Sequence, residues 1–394
     1  MRAAPSHFVA VATSSTVGAI PIPSSQSKII ARATTAPGLV NNVKGAKMAK
    51  PNAAGARNTP ARARRLLDIV NGSWMSQATY VAAYLGIPDL LADGARSGEA
   101  LARATNAHAP SLRRLMRALV TIGICRDQGD GIYQLTTMGS LLRSDTADSL
   151  RAWTLYWGGS LWPIWGNLLH SVMTGKSART LTTESDRFEQ LDANPEAAKV
   201  FNQAMVELTR LDSVSVARAC NFSGMKRIVD VGGGYGERLG VILQANPDLH
   251  GVLFDRKHAI EEARLHMQAA SVADRCEFVA GDFFESIPVE ADAYILKSVI
   301  HDWNDQKSMA ILRNCRRAMH DRARILVVER IVPRQLTMSA AHRAIARGDL
   351  NMLTVMGGQE RTEEEYRRLL EAAELSVKGV VPAGPVFSVI EAAR

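Results

Sequence analysis

IVDVGGGYGERLGVIL, residues 228–243, is the stretch that decides the fold. The stretch begins with a mostly apolar run, typical of a buried strand, that ends at Asp230 and Val231. A run of glycines follows, and after Glu237 the apolar residues recur with the period of a helix. A strand, a glycine turn and a helix in this order predict an open α/β sheet that binds a ligand at the turn.

The spacing of the glycines narrows the class of ligand. Gly232, Gly234 and Gly236 stand at alternate positions, where glycine lets the backbone turn sharply and lets a ligand approach the main chain. Such a turn could hold the pyrophosphate of NAD, whose usual pattern is GxGxxG. Here the third glycine comes one residue early, which favours S-adenosylmethionine over a dinucleotide.

Around this stretch, short β-rich runs alternate with helical stretches through residues 226–331, which indicates a parallel sheet with crossover helices. The predicted strands are residues 227–231, 252–255, 276–280, 293–300 and 325–329. Helices are predicted at residues 341–356 and 362–373, and a final strand at residues 386–391. The fold class expected is a Rossmann-like α/β sheet.

Two aspartates follow strands at the same edge of this sheet. Asp255 closes GVLFD, 23 residues after Gly232, where a carboxylate can accept hydrogen bonds from both ribose hydroxyls. The alternative role is an N-cap for the next helix. Asp282, in GDFFESIP beside Phe283, suits an adenine, whose amino group would donate to the carboxylate while a ring covers its face. Turn formation is the alternative for Asp282.

A histidine stands at the end of the fourth predicted strand, in ILKSVIHDWND. Ligands of open α/β sheets sit beyond the carboxyl ends of the strands, so His301 is a candidate base there. Its reference pKa near 6.5 would leave it neutral near neutral pH, and removing the proton of a phenol strengthens the attacking oxygen. Glu329 in LVVER and Glu360 in MGGQERT could each orient the imidazole, with a surface ion pair as the alternative for Glu360.

The chain of 394 residues is long enough for two folded units plus extra sequence. Residues 1–60 hold seven of the basic side chains and no acidic one, so the formal net charge of +8 falls to about +1 for the rest. Their polar, small-residue composition predicts a disordered extension. A transit peptide and an upstream extension with translation starting at Met48 both remain open.

Residues 61–175 are expected to be mainly helical, with a small hairpin of strands at residues 123–126 and 132–135. Helices followed by a hairpin form a winged-helix pattern, which often binds DNA. The near-neutral charge of the folded region argues against nucleic acid. Four tryptophans at positions 153, 157, 162 and 165 form either core or subunit contacts, or an aromatic wall against a flat substrate.

Other classes find less support in the sequence. The cysteines at positions 125, 220, 276 and 315 lie far apart, which argues against a zinc site or disulfide framework and fits a reducing, cytoplasmic location. No apolar run reaches the roughly 18 residues that a membrane span needs. We expect no metal, because the sequence shows no carboxylate cluster that would hold one.

Together these strings resemble the class I, metal-independent O-methyltransferases of the caffeic-acid type and their bacterial natural-product relatives. VDVGGGYG, LFD, GDFF, LKSVIHDWND, VVERIVP and GGQERT occur in the order and at the spacing of that family, and FNQAM (residues 201–205) resembles its pocket helix. The resemblance covers residue 61 to the end. It implies residues 61–175 as a winged-helix-like dimerisation domain that forms a homodimer, and residues 176–394 as the catalytic domain.

The resemblance also implies roles for single residues. His301 would accept the proton, flanked by Glu329 and Glu360. The cofactor S-adenosylmethionine would be contacted by Thr209, Gly232, Gly234, Asp255, Asp282, Phe283 and Lys297. The acceptor pocket would be lined by Phe201, Met205, Met352 and Met356. One departure concerns the adenine side, because the family usually has Leu-Pro after the ribose-binding aspartate and this chain has Arg256 and Lys257.

The sequence therefore predicts methyl transfer from S-adenosylmethionine to a hydroxyl of a small aromatic, secondary-metabolite-like acceptor. Methylation of nitrogen or carbon on a heteroaromatic acceptor is the first alternative. A winged-helix DNA-binding regulator and a nicotinamide oxidoreductase are the others. The identity of the acceptor cannot be read from the sequence.

Overall fold

The computed structural model describes residues 59–183, 185–287 and 290–394. The predictions made for residues 1–58, including the start at Met48, fall outside the described residues. Residues Leu67–Arg394 form one compact unit. Of the preceding unit, residues 59–66 are described, and they are the first turns of a helix that begins at Thr59.

The N-terminal region of the compact unit is mainly helical and carries a small sheet. Its strands pair in the order β1–β3–β2, all antiparallel: β1 (Arg96–Ser97), β2 (Cys125–Asp127) and β3 (Ile132–Leu135). The helices are α1 (Thr59–Tyr84), α2 (Ile87–Leu90), α3 (Gly98–Thr105), α4 (Ala109–Thr121) and α5 (Thr137–Ser140). The second strand of the hairpin matches the prediction, while β1 was not predicted because two residues leave no periodic signal. The winged-helix interpretation stays a prediction.

Helices also dominate the segment between the two sheets. They are α6 (Arg151–Leu155), a π-helix (Tyr156–Leu161), α7 (Trp162–Trp165), α8 (Leu168–Thr174), a 3₁₀-helix (Ala178–Leu181), α9 (Arg187–Asp192), α10 (Pro195–Arg210) and α11 (Ser213–Ala219). The buried carboxylate of Glu207 on α10 accepts the backbone N–H groups of Ala152 and Trp153, which fixes the start of α6 against α10. This pairing brings the tryptophan-rich segment next to FNQAM.

Seven strands form the large sheet, in the order β6–β5–β4–β7–β8–β10–β9: β4 (Arg227–Val231), β5 (His250–Asp255), β6 (Cys276–Ala280), β7 (Ala293–Lys297), β8 (Arg324–Arg330), β9 (Ser376–Ala383) and β10 (Phe387–Ala393). The first five strands in this order are parallel, and β10 runs antiparallel to both of its neighbours. The predicted Rossmann-like α/β class is confirmed. The chain reverses its direction of winding between β4 and β7, and a crevice for ligands opens at such a point.

Both faces of the sheet are covered, so its strands are apolar on both sides. Along β4, Val229 packs in one buried cluster and Ile228 in the other. The covering elements are α12 (Glu237–Ala245), α13 (Lys257–Ala269), α14 (Asp305–Ala318), α15 (Ala340–Asn351), a π-helix (Met352–Met356) and α16 (Glu363–Ala372), with 3₁₀ turns at Ala273–Arg275 and Ile300–Asp302. Of the described helices, none combines the length and apolar character needed to cross a bilayer.

One predicted strand and one predicted helix end earlier in the structure, and one strand was not predicted. β7 ends at Lys297 instead of residue 300, because Ser298 adopts a φ of 54° and the chain turns into the 3₁₀ helix that carries His301. The helix predicted over residues 341–356 becomes a π-helix at Met352. β9 was not predicted, because it contains Gly379 and Pro382 and does not alternate cleanly between buried and exposed positions.

Candidate active site

A cavity of about 880 Å³ opens at the carboxyl ends of β4, β5 and β7. The glycine turn forms one part of its wall. Gly232 and Gly234 adopt φ values of 68° and 59°, which side chains other than glycine rarely tolerate. A Cβ on Gly234 would meet no atom within 4 Å, so this residue leaves its backbone open to a ligand.

Asp255 fastens that turn from the neighbouring strand. Its Oδ2 accepts the backbone N–H of Gly234 at 2.7 Å, and its Oδ1 accepts the N–H of Arg256 at 2.6 Å. The following helix has Arg256 at its N-cap position, without a side-chain cap, so the N-cap alternative for Asp255 is wrong. Burial raises the pKa of Asp255. Each carboxylate oxygen keeps a second lone pair for a hydroxyl donor in the cavity.

Asp282 lies apart from the cavity wall, unlike its neighbour Phe283, which lines it. The Oδ1 of Asp282 accepts the N–H of Phe284 at 2.8 Å, which is the turn role weighed as its alternative. Its Oδ2 accepts a hydrogen bond from the guanidinium of Arg256 at 3.1 Å. Arg256 itself lines the cavity, so the residue that departs from the family pattern contacts both Asp282 and the cavity.

Lys297 and Thr209 both line the cavity. Lys297 is buried, with its Nζ 3.2 Å from Asp212 Oδ1 and 4.5 Å from the centre of the Phe387 ring. Burial lowers the pKa of Lys297 to about 8, although the carboxylate of Asp212 opposes the change. The ammonium group is thus a buried cation whose donors are only partly used, on the side of the cavity opposite Asp255 along the sheet edge.

His301 is 5% exposed and its side chain lines the cavity. Its Nδ1 lies 3.0 Å from Glu360 Oε1 and 3.3 Å from Glu329 Oε2. Because a carboxylate only accepts, Nδ1 carries the proton and donates it to Glu360 Oε1, while Glu329 Oε2 lies nearby without a hydrogen bond from the described residues. The other nitrogen, Nε2, lies 3.6 Å from Asp302 Oδ1, beyond hydrogen-bond distance, so in the neutral imidazole it is available to accept a proton.

The two glutamates are themselves held in place. Glu329 Oε1 accepts the backbone N–H groups of Val299, Ile300 and His301 at 3.1, 2.9 and 3.3 Å. Glu360 Oε1 also accepts a hydrogen bond from Arg330 at 3.1 Å. Glu329 is fully buried and Glu360 is 5% exposed, so the surface ion pair weighed for Glu360 is wrong.

These charges change the protonation of His301. Burial would lower the pKa of His301, but the carboxylates of Glu329 and Glu360 outweigh burial and raise it to about 9. The neutral imidazole expected from the reference pKa is therefore a minor species near neutral pH. Burial also raises the pKa of Asp302 to about 7, against the effect of His301.

The same three side chains are the group among the described residues whose ligand atoms could converge on a metal ion, all within 4.8 Å of one another. The expectation from the sequence that no carboxylates cluster is wrong, because the fold brings Glu329 and Glu360 together beside His301. Arg330 already places a cation on Glu360 Oε1. A second cation would be repelled by that guanidinium, so we interpret the cluster as a proton site.

Apolar side chains form the remainder of the cavity wall. All four residues predicted for the acceptor pocket line it, namely Phe201, Met205, Met352 and Met356. Three of the four tryptophans join them, at positions 153, 157 and 165. Sequence reasoning missed Phe188 and Trp303, whose ring centroids lie 5.7 Å apart on this wall. Trp303 follows His301 closely enough to have been found, whereas Phe188 stands alone in a polar helix and gave no signal.

Two family models match the chain. The model of an O-methyltransferase domain matches residues 165–376, and the model of an O-methyltransferase dimerisation domain matches residues 67–145.

Individual relatives agree with these models. The chain is 39% identical to a phenazine O-methyltransferase of Lysobacter antibioticus, over 83% of this chain and 95% of the relative. It is 36% identical to the mitomycin biosynthesis 6-O-methyltransferase of Streptomyces lavendulae, over 85% of this chain and 96% of the relative. The crystal structure of an O-methyltransferase from neocarzinostatin biosynthesis, in complex with S-adenosylmethionine and 2-hydroxy-5-methyl naphthoic acid, is similar with a TM-score of 0.70 and 33% identity, covering 81% of this chain and 95% of that one.

Proposed function

The chain belongs to the O-methyltransferase family that carries a dimerisation domain, and from that premise we propose that His301 is the base for methyl transfer. The enzyme transfers a methyl group from S-adenosylmethionine to a hydroxyl of a small aromatic acceptor. One observation carries the role of His301. Its buried imidazole is held by two carboxylates on the wall of the same cavity that contains the glycine turn.

The residues at the glycine end of the cavity fit S-adenosylmethionine. Gly234 leaves its backbone open, Asp255 retains lone pairs for ribose hydroxyls, and Lys297 offers a cation for the carboxylate of the methionine part. We assign Thr209, Gly232 and Phe283 to the same group, since all three line this cavity. When bound, S-adenosylmethionine supplies a methyl group on a positively charged sulfur, which leaves without protonation. Asp282 acts on this site through Arg256 and not by direct contact.

His301 prepares the acceptor oxygen. Nε2 accepts the hydroxyl proton, while Nδ1–H stays hydrogen-bonded to Glu360, and the charges of Glu360 and Glu329 stabilise the resulting imidazolium. A pKa of about 9 is close to that of a phenol, near 10, so the proton transfer is nearly balanced in free energy. The flat apolar wall of Phe201, Met205, Met352 and Met356 holds an aromatic ring with its hydroxyl turned to Nε2.

Substitution of His301 tests this role. We expect His301→Gln to lower kcat by roughly 10²–10⁴ while the affinity for S-adenosylhomocysteine, measured by isothermal titration, stays the same. The matched control is His320→Gln, which removes a histidine that also pairs with a carboxylate, Asp292 at 3.3 Å, away from the cavity. Turnover is followed by mass spectrometry with labelled S-adenosylmethionine and a panel of phenols, flavonoids, quinones and phenazines. Unchanged turnover in His301→Gln rejects the base, and methylated nitrogen or carbon in the products supports the first alternative.

We also propose that the protein is a homodimer formed through residues 61–175, in which the matched dimerisation domain lies. Exposed apolar side chains along α1 support this, Trp74 among them. Arg113, on the helix that a DNA-binding winged helix would use, is paired with Glu99 at 2.6 Å, which supports a role without nucleic acid. The free thiols of Cys125, Cys220, Cys276 and Cys315 support the cytoplasm as its location.

A further inference from the structure

Beside the adenosyl end of the cavity, four polar side chains from three segments form a connected chain, here named the Arg256 clasp: His258, Asp192, Arg256 and Asp282. Arg256 Nη1 lies 2.8 Å from Asp192 Oδ2, and its Nη2 lies 3.1 Å from Asp282 Oδ2. His258 Nδ1 lies 2.9 Å from the other oxygen of Asp192. One guanidinium thus bridges two carboxylates that are 90 residues apart in the sequence.

The clasp touches the cofactor site on one side. Arg256 and His258 line the cavity, and the backbone N–H of Arg256 donates to Asp255, the residue that fastens the glycine turn. A ligand bound against Asp255 therefore lies next to the Arg256 side chain. It would shield the guanidinium from water, and an ion pair strengthens when solvent is excluded.

On its other side the clasp holds the acceptor wall. Asp192 is the last residue of α9, a helix of six residues whose Phe188 faces the cavity. Phe188 packs against Trp303 at 5.7 Å and against Phe201 at 6.2 Å between ring centroids. A helix this short has little stability of its own, so its position depends on contacts such as that of Asp192.

We propose that Arg256 is a positioning residue that couples cofactor binding to the order of the acceptor wall. Cofactor at Asp255 fixes the Arg256 guanidinium, Arg256 fixes Asp192, and Asp192 fixes α9 with Phe188. The acceptor then meets a formed pocket only after the cofactor is in place. This inference rests on the binding of S-adenosylmethionine in this cavity and is independent of the base assigned to His301.

Hydrogen exchange on the full chain tests the coupling without an acceptor. We expect saturating S-adenosylhomocysteine to slow amide exchange both in residues 232–240 and in residues 187–192 of the wild type. In Asp192→Asn we expect the protection of residues 232–240 to remain and that of residues 187–192 to fall by about two- to fivefold. A change of this size corresponds to the loss of one partly exposed ion pair. Glu277→Gln, which breaks the exposed pair with Arg227, is the matched control and keeps both. Equal protection of residues 187–192 in Asp192→Asn and wild type overturns the proposal.

Kinetics separate positioning from a purely structural role. Once an acceptor is found, Asp192→Asn should raise the KM for that acceptor about two- to fivefold with kcat nearly unchanged. Asp192→Glu, which keeps the carboxylate, should bring this KM most of the way back to the wild-type value. A fall in Tm with no change in KM contradicts the proposal. Failure of the wild type to bind S-adenosylhomocysteine would instead reject the cofactor site itself, so the two failures are distinguishable.

Discussion

The His301 ring lies among more carboxylates than cationic groups. Glu329, Glu360 and Asp302 surround its ring, and Arg330 offsets part of their charge through Glu360. The carboxylates stabilise the imidazolium, so they raise the pKa of His301 to about 9 although burial acts in the opposite direction. The same carboxylates therefore make the base strong and keep most of it protonated at neutral pH.

We predict that kcat/KM rises with pH and levels off above about 9, because only the neutral imidazole accepts a proton. Glu360→Gln removes one of the negative charges that stabilise the imidazolium, so the pKa of His301 falls and the rise of kcat/KM moves to lower pH. The plateau value of kcat/KM also falls, because Nδ1 is held less firmly. The pH profile between 6 and 10 of wild type and variant measures both effects. Glu363→Gln, on the exposed start of α16, should leave the profile unchanged. A flat profile, or a shift to higher pH in Glu360→Gln, would be incompatible with this site.

Asp255 is the residue at which sequence and geometry agree most directly on the cofactor. Asp255→Ala removes the acceptor for Gly234 N–H and the oxygens that face the cavity, so we expect it to weaken S-adenosylhomocysteine binding by about tenfold or more. Isothermal titration measures the loss, and Asp255→Asn should lose less because its carbonyl oxygen still accepts. An unchanged affinity in the alanine variant would remove Asp255 from the cofactor site.

At the scale of elements, the turn after β7 places the catalytic histidine, and a distant glycine supports it. A Cβ on Gly358 would overlap the carbonyl oxygen of His301 and the backbone of Asp302. That tight contact lets the N–H of Gln359 donate to the same carbonyl at 2.9 Å. The segment MGGQERT therefore places Glu360 beside the His301 ring and also holds the 3₁₀ helix that contains His301 in position.

Gly358→Ala should displace this turn and lower the free energy of unfolding by about 1–3 kcal/mol, with a marked loss of kcat. Gly379→Ala on β9 is the control, since a Cβ there meets no atom within 4 Å. Urea unfolding and turnover measure the two effects. Equal free energies of unfolding and equal kcat values for Gly358→Ala and Gly379→Ala would show that the close contact of Gly358 with the His301 turn contributes nothing to stability or activity.

The elements that the sequence predicted well are those with strong local signals. β4, β6 and β7, the strand before His301, begin where the apolar runs predicted, because strands buried on both faces need such runs. The end of β7 was missed because Glu329, 28 residues downstream of His301, binds the turn's N–H groups. Phe188 and the Arg256–Asp192 pair were missed for the same reason, since tertiary contacts with no periodic trace in the chain place them.

At the scale of the whole molecule, α1 presents an apolar stripe that the described part of the chain leaves uncovered. Leu67, Val70, Trp74 and Val81 recur at spacings of three, four and seven, which puts them on one helical face, and Trp74 is 66% exposed. Exposed apolar surface of this kind marks an interaction site, and the matched dimerisation domain begins at residue 67. We infer that a second copy of the chain covers the stripe.

Trp74→Asp should therefore shift the protein from dimer to monomer at micromolar concentration, because it places a charge in the centre of the stripe that the second copy would cover. Light scattering coupled to size exclusion gives the mass of each form. Leu265→Asp on α13 makes the same change of chemistry at a side chain of similar exposure, 62%, outside the matched dimerisation domain, and should remain dimeric. Equal masses for the two variants would show that α1 does not form the interface. A monomeric wild type would show that this chain does not form the proposed homodimer.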